Sequence, residues 1–400
     1  MIKTHSKLNR QNVFTGILSA MLACTGGAVL IVSSAEKAGF STLELVAWLF
    51  AVYFFGGLLN IALTLIYKIP FGGAHSITAV AFLSTSATQF TVQELAGASI
   101  ISGIIIAVFG LSGLSDKLLA FLPKPLMDAM LAGLIFNHIV KIVPAVKDAP
   151  FVGFMALVGF FLFPCLFKGF PPVLGVVCMG LLALWIGYDL PPMEVLPFAL
   201  PHVVSPEFSI NGLLSLAIPL SILVLSNDLF VALAALRKNG YEPSASKTIT
   251  ITGFATTAVA FLGGHSVNVG GMMSMLCSSE EAGAQEYRPY AAIVSGALVA
   301  LFGLFAWKVI AFINILPSSF IWLLTGFSLM GVFIQSLQSA FSESTYRYST
   351  AFTFAIAVAN VAFLGVSAPV WCLAIGMVTM KLLGEGTRSN SNDAVRQNKQ

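Results

Sequence analysis

"PFGGAHSITAVAFL" (Pro70–Leu83) and "FLGGHSVNVGGMMSML" (Phe261–Leu276) lie about 190 residues apart, and each sets Gly-Gly and then His-Ser inside a long apolar run. Histidine and paired glycine are poor material for the middle of a membrane helix. In the first stretch Pro70 cannot sit inside a regular helix without losing a hydrogen bond. Gly72 and Gly73 admit extended or left-handed backbone. Ser76 can then cap a helix continued by "ITAVAFLS". The second stretch repeats the logic: Gly263 and Gly264 break the chain, Ser266 can cap, and "VNVGGMMSML" follows. The expectation is two broken crossings, each a short strand-like segment near 70–75 or 261–265 that leads into a half-helix. Non-helical backbone at membrane depth persists only where protein or a water-lined cavity satisfies it. Both crossings are therefore expected inside the protein, paired with each other.

The rest of the chain supplies the membrane. Of 400 residues, 57% are hydrophobic and 9% charged, and the mean hydropathy is +0.91. A soluble domain carries roughly 25% charged residues, so few water-facing surfaces can be built here. Apolar runs of about 20 residues recur throughout, which makes the class an all-α integral membrane protein. The alternating pattern of a membrane β-barrel is absent. A net charge of +3 gives no support to a nucleic-acid partner; lipid is the surrounding partner. Cys24, Cys165, Cys178, Cys277 and Cys372 lie singly in apolar runs, which speaks against disulfides or a metal site. Met1–Arg10 is polar and basic without the features of a cleaved signal, so the first apolar run reads as a retained span.

Fourteen spans are expected. They lie near 12–32, 43–66, 70–88, 94–114, 125–145, 150–168 and 171–188, then near 211–236, 246–262, 264–279, 289–315, 318–340, 346–363 and 365–383. With the N-terminus in the cytoplasm, all but Lys37, Lys141, Lys147 and Lys308 of the 20 Lys and Arg fall inside, the bias that positive-inside predicts. Dropping one of the two opening stretches would move every later loop to the other side. Seven spans per half place the halves in opposite orientation, and "LPKPLMDAMLAG" after span 4 resembles "LPSSFIWLLTG" after span 11. Weak similarity between oppositely oriented halves is the mark of an inverted-repeat secondary transporter. Residues 1–190 are read as the first repeat, 205–385 as the second, and 386–400 as a disordered cytoplasmic tail.

The broken crossings also suggest a chemistry. Two half-helices that start near the midplane from opposite directions aim their free N–H groups at one place, which favours an anion between them. Gly73, Ala74, His75, Ser76, Gly264, His265, Ser266 and Asn268 are the candidate substrate-binding residues. Close helix packing is the structural reading of the same glycines. Asp228, about mid-span in "AIPLSILVLSNDLFVALAALRKNG", is the most informative single residue, because an intramembrane carboxylate is expensive and usually functional. It is the candidate proton-coupling group, with His75 and His265 as further candidates, and its neighbour Asn227 could donate to a substrate. Asp128, four residues after Lys124, is read as a local ion pair. His138 is read as interfacial.

"LPKPLMDAMLAGLIF" (Leu122–Phe136), "LAIPLSILVLSNDLFVALAALRKNGY" (Leu216–Tyr241) and the serines at 76 and 266 resemble the benzoate/proton symporter family. That family belongs to the seven-plus-seven inverted-repeat group that includes nucleobase, bicarbonate and sulfate carriers. The resemblance implies a core domain of spans 1–4 and 8–11 moving against a gate domain of spans 5–7 and 12–14. It implies proton-coupled symport of a small organic anion such as benzoate, by alternating access, in a bacterial inner membrane with both termini cytoplasmic. The proton is the coupling ion, and no cofactor is called for. A homodimer is left open. The rivals are a nucleobase-type or other anion symporter and an anion channel. An enzyme is disfavoured, since no HExxH occurs and no serine–base pairing is readable.

Overall fold

A computed structural model describes residues 8–86, 89–113, 123–167, 170–194, 196, 198, 203–360, 363 and 366–385. The tail at 386–400, Lys117 and Lys168 lie outside the described residues. The described residues are helical, with no named strand; Phe363 and Val366 form one isolated bridge.

The first half contains α1 (Arg10–Lys37), α2 (Thr42–Tyr67), α3 (Ile77–Ser86), α4 (Val92–Ser112), α5 (Lys124–Val140), α6 (Ile142–Asp148), α7 (Pro150–Leu166) and α8 (Pro172–Gly187). The second contains α9 (Ile210–Lys238), α10 (Ala245–Ala260), α11 (Gly271–Ser278), α12 (Arg288–Leu304), α13 (Ala306–Asn314), α14 (Ser318–Ser342), α15 (Arg347–Ala359) and α16 (Ala368–Leu382). Local chemistry sets the starts. Ser41 with Glu44 and Thr91 with Glu94 close capping boxes on α2 and α4, and proline opens α7, α8 and α16. Among the described residues, seven helices are long and apolar enough to cross a bilayer, and α3, α7, α8 and α16 are shorter apolar helices.

Packing sorts the helices into two sets. In one, α4 lies on α10, and α12 lies on α1 and α2. In the other, α14 and α15 lie on α5, α7 lies on α8, and α15 lies on α16. Small residues allow the close crossings: a Cβ at Gly57 of α2 would fall 2.7 Å from the Ala300 amide of α12. The two sets meet where α1 touches α14 and α3 touches α5.

The α9 run is not a uniform α-helix. It widens into π-turns at Leu213–Ala217 and Val224–Leu229. Pro219 offers no N–H to the Ser215 carbonyl four residues back. That carbonyl accepts instead from the Ser367 hydroxyl (2.7 Å), while the Ser367 amide donates to Ser215 Oγ (3.2 Å). The second π-turn contains Ser226, Asn227 and Asp228, and such wide turns occur often at functional sites.

Candidate functional site

Two non-helical segments run through the interior. Lys68 ends α2 in the left-handed region (φ 55°), Pro70 follows, and no helix resumes before Ile77. The other segment runs from the end of α10 to Gly271, with Gly263 left-handed at φ 81°. The two lie side by side and antiparallel: Asn268 N donates to Ala74 O (3.0 Å) and Gly270 N to Gly72 O (2.9 Å). Glycine is required for this approach, since a Cβ at Gly73 would fall 2.7 Å from the Gly270 amide. Side chains satisfy the remaining backbone. Asn60 donates to the Asn268 carbonyl (3.1 Å), Thr256 donates to the Val267 carbonyl (3.0 Å), and Ser274 donates to the Gly72 carbonyl (2.9 Å).

The second segment departs from the expectation in one respect. Its helix starts at Gly271, five residues beyond Ser266, so Ser266 caps nothing. The extended pairing with Gly72–Ala74 holds residues 268–270 out of the helix. Ser266 Oγ instead accepts the Ser76 amide from the other segment (3.3 Å). Ser76 does cap α3: its hydroxyl accepts from the Ala79 amide (3.0 Å).

The Ser76 hydroxyl also donates to Asp228 Oδ2. Thr78 Oγ1 lies 3.1 Å from the same oxygen and 2.9 Å from Ser76 Oγ. The acid from α9 is thus tied to the first turn of α3. Asn227 is half-buried, and its amide donates to Ser226 Oγ (3.0 Å). Asn268 is fully buried beside this group, and its side chain acts on the Asp228 carboxylate.

The two histidines differ. His265 is engaged on both ring nitrogens. Trp48 Nε1 donates to Nδ1 (2.9 Å), and Nε2 lies 3.3 Å from the Ser76 carbonyl. Indole is a donor only, so Nδ1 must accept and Nε2 carries the hydrogen. His75 is 4% exposed, and neither of its ring nitrogens has a partner. It stacks edge-on with Tyr53 (4.8 Å) and His265 (5.3 Å). Gly27 of α1 makes its room: a Cβ there would fall 2.6 Å from His75 Nε2.

A cavity of about 160 Å³ lies between the two helix sets. His75, Ile77, Thr78, Asn227, Asp228 and Gly271 line one side, so the first turns of α3 and α11 both open onto it. Of the expected site residues, His75, Asn227 and Asp228 reach the cavity wall. Gly73, Ala74, Ser76, Gly264, His265, Ser266 and Asn268 are buried behind it. The opposite side carries Ser328, Gln335, Ser336 and Ser339 of α14 and Asp128 of α5. Sequence reasoning missed that wall. Its signal was legible as a polar stripe at i, i+7, i+8 and i+11 on an apolar helix. Asp128 is also not the local ion pair it was read as: its carboxylate takes the Ser339 hydroxyl (2.5 Å), and Lys124 is exposed. His138 is buried and 2.7 Å from Ser84 Oγ rather than interfacial.

Known proteins share the fold. The transmembrane domain of a cyanobacterium bicarbonate transporter, BicA, superposes with a TM-score of 0.58 at 14% identity, over 92% of this chain and 96% of that one. The anion transporter Slc26a9 of mouse, in its inward-facing state, gives 0.59 at 14% identity over 96% and 69%. These likenesses establish the fold alone. In sequence, the benzoate membrane transport protein of Acinetobacter baylyi is 26% identical over 369 residues, 92% of this chain and 94% of that protein. Inner membrane protein YdcO of Escherichia coli is 27% identical over 377 residues, 93% and 95%. The family model described as benzoate membrane transport protein matches residues 6–382. With a match that spans nearly its whole length, this integral, multi-pass membrane transport protein belongs to the benzoate membrane transport protein family.

Proposed function

We propose that the protein is a proton-coupled symporter that carries benzoate or a similar aromatic carboxylate by alternating access. The observation that carries this reading is the cavity lined by both an orphaned imidazole, His75, and the acid Asp228, with the first turns of α3 and α11 opening onto it. The helix starts supply amide hydrogens and positive partial charge to a carboxylate. His75 donates to the same carboxylate, and Asn227 faces it from α9. Ile77, Val231, Met272 and Met273 give the ring an apolar seat. Asp228 takes the coupling proton, and the hydroxyls of Ser76 and Thr78 hold it in place.

The membrane arrangement belongs to the same proposal. The chain makes 14 crossings as two inverted repeats of seven, with crossings 3 and 10 broken, and both termini face the cytoplasm of a bacterial cell. The α4–α10 and α12–α2 packing supports a core domain that rocks against a gate domain built on α5 and α14. His265, Ser266, Gly73, Ala74, Gly264 and Asn268 act from behind the wall by fixing the crossed segments. The test is uptake of labelled benzoate into proteoliposomes with and without an inward proton gradient. Accumulation above the external level under the gradient is expected. Equilibration alone would make the protein a channel, and no benzoate flux beside flux of a nucleobase would move the substrate class.

A further inference from the structure

The cavity has a second acid that the symport scheme leaves unused. Asp128 is 4% exposed on α5 and lines the same cavity as Asp228, on the opposite wall. A carboxylate so buried is retained at a cost, and its partners here are few. One hydroxyl, Ser339 Oγ of α14, donates to it at 2.5 Å. Lys124, on its own helix, is the one charge whose field acts on it, and the two make no ion pair. The helices packed on α5 add none. The sequences of α14 and α3 contain no titratable residue. Of the titratable residues on the other helices packed on α5, namely Arg347 and Tyr348 of α15, Cys372 and Lys381 of α16, and Lys147 and Asp148 of α6, none is hydrogen-bonded to it. Polar groups, Thr25, Ser328, Gln335 and Ser336, line the same cavity as the two acids. Lys124 lines the same cavity and is exposed, which marks that end as the one nearer water.

We propose that Asp128 is a proton-relay site on the gate-side wall, which takes the coupling proton from Asp228 and passes it to the water at the Lys124 end. The inference rests on the symport reading above. In the step, the O–H bond of the Asp228 carboxyl breaks and a water in the cavity carries the proton. A new O–H bond forms on Asp128, which leaves Asp228 a carboxylate; no electrons are exchanged. Ser339 steers the receiving oxygen. Because Asp228 is on α9, which packs on α4 of one helix set, and Asp128 is on α5 of the other, release of the proton is tied to the position of the gate.

Exchange of labelled for unlabelled substrate needs no release of the proton, whereas net uptake does. Asp128→Asn in proteoliposomes should leave counterflow exchange and benzoate affinity by thermal shift at parent level, and lower gradient-driven net uptake tenfold or more. Ser339→Ala, which keeps the acid, should lower net uptake less and also spare exchange. Parallel loss of exchange and net uptake in both variants would make the pair a packing contact and overturn the relay. Parent-level net uptake in both would overturn it too. If the parent itself moves no protons with substrate, the coupling scheme fails as a whole, and that is read from the parent alone.

Discussion

The two Gly-Gly-His-Ser stretches share a text and divide the labour. Around Gly72–Ala74 and Asn268–Gly270 they are equals, each supplying one side of the antiparallel contact. Beyond it they diverge. His75 faces the cavity with both nitrogens unpartnered, while His265 is clamped between the Trp48 indole and the Ser76 carbonyl. Ser76 caps its helix and holds Asp228, whereas Ser266 only accepts the Ser76 amide. One backbone solution thus serves both buried non-helical segments, whose N–H and C=O groups need partners in each. The side-chain chemistry is not shared, and one cavity needs it on one side only. The acid settles which side: Asp228 on α9 reaches the serine of the first stretch.

The largest effect should come from the shared backbone. Gly73→Val drives a branched side chain into the Gly270 amide and the Val269 Cα, which lie 2.7 and 2.9 Å from a Cβ alone. Both are backbone and cannot yield without opening the pairing. Loss of benzoate binding together with a large fall in melting temperature is expected; a variant that binds normally would show that the pairing is dispensable. Next comes Asp228→Asn, which mimics the protonated acid. It should bind and exchange benzoate yet fail to accumulate it under a proton gradient, and parent-level accumulation would remove Asp228 from the coupling role. The histidines then test the division directly. A hydrogen bond to a charged group contributes about 1.5–3 kcal/mol, roughly 10- to 100-fold in affinity. His75→Ala should weaken benzoate binding by that order with little change in melting temperature. His265→Ala should do the reverse, and His265→Gln, whose amide can still donate to the Ser76 carbonyl, should recover part of the stability. Equal affinity losses in both alanine variants would erase the distinction.

How much of this was legible follows from what sequence encodes locally. The broken segments announced themselves through Pro70 and the glycine pairs, because backbone permissiveness is a property of single residues. Most of the apolar runs match helices to within a few residues for the same reason, but the run at 289–315 is two helices, α12 and α13, parted at Phe305. The start of α11 did not follow from local preference: residues 268–270 are held extended by Ala74 and Gly72, almost 200 positions away in the chain. The unlike roles of His75 and His265 were equally out of reach, since they depend on Trp48 and on Gly27, which neither stretch contains. Asp128 was misread because a lysine one turn earlier is the obvious partner in sequence, while Ser339 is more than 200 residues distant.

The smallest expected effect separates the serines. Ser266→Ala deletes the acceptor of the Ser76 amide, a bond already long at 3.3 Å. A buried N–H left without a partner costs about 1–3 kcal/mol, and the long bond places this case at the low end, about 1 kcal/mol. The cavity wall is untouched, because Ser266 does not line it. Ser76→Ala removes more. It takes the cap of α3, worth about 1 kcal/mol, and it also takes the hydroxyl that holds Asp228. Ser76→Ala should therefore lower the melting temperature more than Ser266→Ala, and the two should fall far apart in coupling. Ser266→Ala should accumulate benzoate at near parent level, while Ser76→Ala should accumulate it poorly and still bind it. Paired thermal melts and gradient-driven uptake on the two variants measure both axes. Equal coupling defects would mean that the second stretch bears on the acid as directly as the first, and the asymmetry drawn from the hydrogen bonds would have to be abandoned.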